Sequence, residues 1–174
     1  MMSENNKQSI NKKRKHLPIY GVGPVYGGVV FALTVAAFFC RKLPAFSAGD
    51  LPDVLQYTFI SIGILLIALG VYMWIQAVIV TKLDDGIKEN RLVTNGIFAW
   101  VRNPIYSAIT IACTGALFII GNWLFFFLPF LYWLLLTALM KNTEEKWLRD
   151  LYGKEYYDYC KRVNRCIPWF PKKH

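Results

Sequence analysis

Four apolar stretches, residues 21–40, 54–80, 105–120 and 123–140, fix the solvent in which this chain folds. The first two hold the roughly 20 apolar residues that a helix needs to cross about 30 Å of hydrocarbon. The other two are shorter, and only Gly121 and Asn122 part them. That spacing predicts an antiparallel helical hairpin with a tight turn. Of 174 residues, 55% are hydrophobic and 18% charged, and the charges gather outside the four stretches. A soluble domain is rarely so apolar. In lipid, backbone hydrogen bonds must close within the segment, so helices follow. The predicted fold is an all-α integral membrane protein with about four transmembrane helices, the last two forming the C-terminal hairpin.

Charge sets the expected topology. With four spans, 18 of the 20 Lys and Arg residues fall on one side and only Arg41 and Lys42 on the other. The positive-inside rule makes the rich side cytoplasmic, with both termini on it. The net charge of +9 belongs mainly to this bias. The basic run Lys12–Lys15 reads as a topology signal that touches anionic membrane lipid, not as a nucleic-acid site. No A-x-A-like end follows the first span, so it reads as a retained anchor. The four cysteines form no C-x-x-C pair, and His16 and His174 are terminal, so no metal site is expected. Residues 1–17 read as a disordered basic tail and 18–174 as one membrane domain.

Turn chemistry places the polar segments. Asp84-Asp85-Gly86 and Asn95-Gly96 mark turns between the second and third spans. Asn103 before Pro104 gives an N-cap and a preferred first helical residue, so the third span is expected to start at Pro104. Pro129 is expected to kink the fourth. Gly21, Gly23, Gly27 and Gly28 do not fit G-x-G-x-x-G, because Tyr26 interrupts it; they read as packing glycines. Beyond Met140, Leu148, Leu151 and Tyr152 recur at helical spacing, which predicts an amphipathic segment on the membrane surface. Trp147, Trp169 and Phe170 fit interfacial anchors.

Two polar groups flank the hairpin. Glu144 and Glu145 are adjacent on a helix and about 100° apart, so they are not a paired acid–base site. One can point inward while the other is solvated. A cap is the alternative, because Asn142 and Glu145 have N-cap and N3 spacing. Arg102-Asn103-Pro104-Ile105-Tyr106 reads either as a topology charge with a helix start or as an anion cradle built from the free N–H groups after Pro104.

Residues 92–106 (LVTNGIFAWVRNPIY), the hairpin, Glu144-Glu145, then Tyr152-Gly153-x-Glu155-Tyr156-x-x-Tyr159-x-x-Arg162-Val163 and Ile167-Pro168 occur in that order. Together they resemble the isoprenylcysteine carboxyl methyltransferase family, within a wider group that includes the phospholipid N-methyltransferases. The resemblance covers 80–170, about half the chain. It implies S-adenosylmethionine as cofactor, with a site formed by the cytoplasmic loop, the start of the third span and the amphipathic C-terminal segment. Carried over by position, cofactor contacts fall on Arg91, Leu92, Val93, Phe98, Asn103, Pro104, Ile105, Tyr106 and Glu144. Phe98 stands where the family usually has Tyr, and Asn103 replaces the more usual His. The carboxyl methyltransferases also carry an Arg one turn before the Glu, where Met140 stands here. Lys141 beside it lacks the bidentate fork.

The resemblance thus implies methylation of a membrane-embedded amphiphile, a lipid or prenylated small molecule. Carboxyl O-methylation of an isoprenylcysteine-like substrate is the first reading and phospholipid N-methylation the alternative. Arg102 and Lys141 are the candidates for orienting an anionic head group. Readings from other classes are a non-catalytic lipid-binding protein on the same fold and a membrane reductase. A bacterial inner membrane is the expected location, or the endoplasmic reticulum in a eukaryote.

Overall fold

The computed structural model describes residues 21–81 and 91–171. Residues 1–17, the Asp84-Asp85-Gly86 turn and both histidines lie outside that range. In chain order, α1 is Gly23–Cys40, α2 Asp53–Ile75, α3 Pro104–Ile120, α4 Leu128–Asn142, α5 Glu144–Tyr152 and α6 Lys154–Arg162. A π-helical turn, Gln76–Val80, extends α2, and short 3-10 turns precede α2, α3 and α4. The fold is all-α. Three helical stretches are long and apolar enough to cross a membrane: Gly23–Cys40, Asp53–Val80 and Trp123–Tyr152. Pro104–Ile120 is a shorter apolar helix.

Helices α1 to α4 are apolar nearly all round, as lipid requires, whereas α5 and α6 are amphipathic. On α1, Tyr26, Val30, Thr34 and Ala37 are buried at helical spacing, while Val25, Phe31 and Phe39 face outward. The buried stripe packs on α3 and α4 with Leu117, Tyr132, Leu136 and Met140. Hydrogen bonds lock this packing. The Tyr26 hydroxyl lies 2.5 Å from Thr110 Oγ1, and Thr34 Oγ1 lies 2.9 Å from the Tyr132 hydroxyl.

Small residues govern the other face of α3. A Cβ on Gly63 of α2 would sit 2.6 Å from the Gly115 carbonyl oxygen, and one on Gly115 would sit 2.5 Å from that of Gly63. Gly70 meets the Ala108 carbonyl in the same way at 2.7 Å. Lipid tails are as apolar as leucine, so helices here associate through close van der Waals contact, which only small residues permit. The packing glycines of importance are therefore in α2 and α3. In α1, Gly27 meets only the tip of Ile109, and Gly28 meets nothing within 4 Å.

Four expectations are corrected. The hairpin turn is not the two residues Gly121-Asn122. Gly121 ends α3 with φ +69°, and a 3-10 turn, Trp123–Phe125, intervenes before α4 begins at Leu128. The buried Asn122 holds this turn: its side chain accepts from Leu124 N and donates to the Phe46 carbonyl and Asp50 Oδ1. Pro129 does not kink α4 but lies in its first turn, where its missing N–H costs nothing. Asn142 is the last residue of α4 and not a cap; Thr143, with φ −128° and ψ −90°, separates α4 from α5. The apolar side of the tail helices does not lie free for lipid. Leu151, Tyr152, Tyr156, Tyr159 and Val163 form a buried cluster, joined by Leu92 and Leu148. Trp147, Trp169 and Phe170 are exposed.

Replacing Gly115 with Leu should force α2 and α3 apart and cost about 1–3 kcal/mol. Gly28→Ala should be neutral. Thermal unfolding of both variants in the same detergent checks the contrast.

Candidate functional site

The polar end of α3 is where the chain's distant segments meet. The Asn103 carbonyl accepts from Ser107 N and Ser107 Oγ, both at 3.0 Å, and starts the helix at Pro104. The Asn103 side chain does not cap. Its Nδ2 donates to the Arg165 carbonyl at 3.0 Å, as does its own backbone N–H at 3.2 Å. The tail runs beside this turn: Arg102 N donates to the Asn164 carbonyl (2.8 Å), Ser107 Oγ to that of Cys166 (2.6 Å) and Trp169 N to that of Trp100 (3.1 Å). Residues 164–169 are thus stitched across the entry of α3.

A buried carboxylate clamps this arrangement. Glu145 is 1% exposed. Arg165 reaches both its oxygens, Nε to Oε1 at 2.5 Å and Nη2 to Oε2 at 3.1 Å. Arg102 Nη1 lies 3.3 Å from Oε1, and Arg149 Nη2 3.2 Å from Oε2. Arg102 also donates to the Tyr156 hydroxyl and Cys160 Sγ. Its Nε is buried without a hydrogen-bond partner among the described residues. Burial lifts the Tyr156 and Tyr159 phenols well above their ordinary pKa, so both stay protonated at neutral pH. Tyr159 uses its proton to donate to the Phe98 carbonyl at 2.6 Å.

Glu144 points elsewhere. Its Oε1 accepts from the Tyr106 hydroxyl at 2.5 Å and from Val22 N at 2.9 Å. Glu145 is thus the inward-pointing glutamate, and Glu144, half-buried, is tied to Tyr106 and Val22. Glu145 belongs to the tail and Glu144 to the start of α1 and α3.

The expected cofactor residues thus fall into connected groups. Glu144 and Tyr106 touch, and Pro104 and Ile105 form the turn below them. Leu92 packs on the tail cluster, and buried Phe98 is tied to Tyr159. Arg91 is exposed and Val93 half-buried, on the extended segment that continues from Leu92. The two head-group candidates differ. Arg102 is committed to Glu145, whereas Lys141 is exposed at the end of α4. Met140, at the family's Arg position, is fully buried in the core.

Next to this polar end, α3, α4 and the tail enclose a half-open cleft of about 240 Å³, lined by Ser107, Thr110, Ile111, Trp133, Leu136 and residues 166–168. Thr110 lies one turn beyond Tyr106 and donates to its carbonyl at 2.9 Å. Burial pushes the Cys166 thiol up to about 11, so it lines the cleft as a neutral, apolar group.

Sequence reasoning missed Glu145, Arg165, Tyr156 and the α1 entry as parts of one end. The signal for Glu145 was present. A carboxylate flanked by a tail rich in arginine is a candidate for burial by pairing. The partners, 20 and 43 residues away, are set by the fold alone.

Removing one partner of a buried ion pair costs about 3–5 kcal/mol. Glu145→Gln should therefore lower stability by that order and speed hydrogen exchange across 164–169. Arg149→Ala should change little, because that guanidinium is mostly solvent-exposed. Hydrogen-exchange mass spectrometry on both variants checks this.

Comparison with known proteins shows the family of this chain. The sequence pattern of the phospholipid methyltransferase family matches residues 57–155. A Schizosaccharomyces pombe protein named protein-S-isoprenylcysteine O-methyltransferase is 30% identical; the match takes in 83% of this chain and 61% of that protein's length. No solved structure matches. The matched span runs from α2 through the start of α3, the hairpin and Glu144-Glu145 into α6, over more than half of the chain: the chain belongs to the phospholipid methyltransferase family of membrane methyltransferases.

Proposed function

We propose that this chain methylates a membrane-embedded amphiphile with S-adenosylmethionine as donor, and that the first acceptor is an isoprenylcysteine-like carboxylate. One observation carries the reading: the Glu144–Tyr106 pair stands at the N-terminus of α3, and Thr110, one turn further along the same helix, lines an apolar cleft between α3, α4 and the tail. A soluble, polar reagent and a hydrocarbon tail can therefore meet over one turn of helix.

The residues suit the donor's chemistry. Ribose hydroxyls and an ammonium need an acceptor, which Glu144 provides. A carboxylate needs donors, and the first N–H groups of α3 have no partner within the helix. The loop residues Arg91, Leu92, Val93 and Phe98 extend the same end. When bound, S-adenosylmethionine supplies a methyl group activated on a sulfonium. For such a displacement the fold must chiefly align the acceptor atom, about 3–3.5 Å from the carbon it receives. Tyr106 fixes Glu144, the cleft orients the tail, and apolar Leu136 and Ile111 exclude water. A carboxylate acceptor is nucleophilic at pH 7 and needs no base. The exposed Lys141 is the cation for its head group, while Arg102 acts through Glu145. The site faces the cytoplasm on the charge bias.

Phospholipid N-methylation is the second reading, favoured by Met140. No guanidinium stands there to pair with a carboxylate, and an amine would be desolvated among apolar walls, which lowers its pKa toward the reactive neutral form. A reductase would instead bind a nicotinamide, and a non-catalytic protein neither cofactor.

In lipid micelles with methyl-labelled S-adenosylmethionine, label should pass to a prenylcysteine acid, and base should release it as an ester would. Base-stable label on phosphatidylethanolamine would select the second reading. Glu144→Gln should weaken donor binding about tenfold or more, and transfer with it, while Lys141→Ala should raise acceptor KM with donor affinity unchanged. Neither transfer nor donor binding by calorimetry in the unaltered protein would overturn the enzyme reading. Occupancy of the cleft has its own readout. With the other cysteines changed to serine, a prenylated acceptor should slow alkylation of Cys166.

A further inference from the structure

We propose that the entry of α1, residues 21–23, is a positioning element of the donor site, in which Gly21 lets the Val22 amide fix Glu144. The inference rests on the reading of Glu144 above and extends the site to a segment outside both the matched family span and the motifs that resemble the family.

The geometry is specific to these residues. Glu144 Oε1 accepts from Val22 N at 2.9 Å and from the Tyr106 hydroxyl at 2.5 Å. Two donors on one oxygen hold the carboxylate in a single orientation. Its other oxygen, Oε2, accepts no hydrogen bond among the described residues, so it is the one presented to a ligand hydroxyl or ammonium. The Val22 amide reaches Glu144 only because residue 21 is glycine. Gly21 has φ +47°, and a Cβ there would lie 2.1 Å from Glu144 Oε1 and 3.5 Å from the Tyr106 hydroxyl. Gly23 also stands against Tyr106, with its Cβ position 3.4 Å from the same hydroxyl. Gly28, on the same helix, meets nothing within 4 Å. The glycines at 21 and 23 thus face the donor pair and the one at 28 does not.

A side chain at 21 pushes Glu144 off its donors. A charge-assisted hydrogen bond is lost and the carboxylate is freed to rotate, so donor binding weakens while the hydrocarbon cleft is untouched. A mere structural staple between α1 and α5 would instead affect stability and both substrates together.

The test uses the full chain in lipid micelles and S-adenosylmethionine as the probe. Calorimetry should show binding to the unaltered protein, about tenfold or more weaker binding to Gly21→Ala, and no change for Gly28→Ala. Acceptor KM, kcat at saturating donor and the thermal midpoint should stay within twofold or a few degrees of the unaltered protein. In a Glu144→Gln background, Gly21→Ala should cost nothing further, because coupled residues are not additive. Gly23→Ala, whose backbone is unstrained, should show a smaller loss in the same direction and serves if Gly21→Ala does not fold. Equal donor affinity in Gly21→Ala, or a loss that tracks the thermal midpoint and persists in the Glu144→Gln background, overturns the proposal and leaves the methyltransferase reading intact. Absence of binding to the unaltered protein removes both.

Discussion

A single buried carboxylate organises the polar end of this molecule. Glu145 lies among three guanidiniums that come from the turn before α3, from its own helix and from the tail. Charge taken out of water is costly unless paired and hydrogen-bonded. The arrangement meets that condition only when all three segments are in place. The tail therefore docks as a unit: with Arg165 on Glu145, the backbone of 164–169 comes into register with Trp100, Arg102 and Asn103. The tail helices then bury Tyr156 and Tyr159 against the loop that carries Leu92 and Phe98. The clamp thus fixes the loop, the tail and the turn before α3 against one another.

The membrane half depends on a different force. Between helices in lipid there is no hydrophobic gain, so α2 and α3 are held by backbone approach at Gly63, Gly70 and Gly115. On the other side of α3, hydroxyls take over, with Tyr26, Thr34, Thr110 and Tyr132 linking three helices. α3 is thereby gripped on one side by close contact and on the other by hydrogen bonds. A rigid α3 keeps its N-terminal donors, Tyr106 and the cleft in fixed relation.

Much of this was legible in the sequence, for reasons that can be named. Helix in lipid is imposed by hydrogen-bond closure, so the apolar runs located the bundle. Asn103-Pro104 located the start of α3, because proline suits the first turn and little else in a helix. Pro129 obeys the same rule and starts α4; treating it as a kink assumed the helix began at Trp123. The hairpin turn was misjudged because Asn122 is bound to Phe46 and Asp50, residues remote in sequence. At the site, local pattern separated Glu144 from Glu145 but could not say what each faced. The Arg165 and Val22 partners belong to opposite ends of the chain, and no spacing rule joins them. Arg102 illustrates the limit best. Its position beside the helix start suggested an anion outside the protein, whereas the anion it meets is Glu145.

The shortness of α3 bears on how a lipid would reach this end. Seventeen residues rise about 26 Å, less than the roughly 30 Å of hydrocarbon that surrounds them. A span shorter than its bilayer is accommodated by local thinning of the lipid around it. Thinning of that kind would lower the head-group plane where α3 and α4 border the cleft. In such a thinned patch the polar end of a lipid would sit nearer the level of Tyr106 and Glu144 while its tail stays in oil.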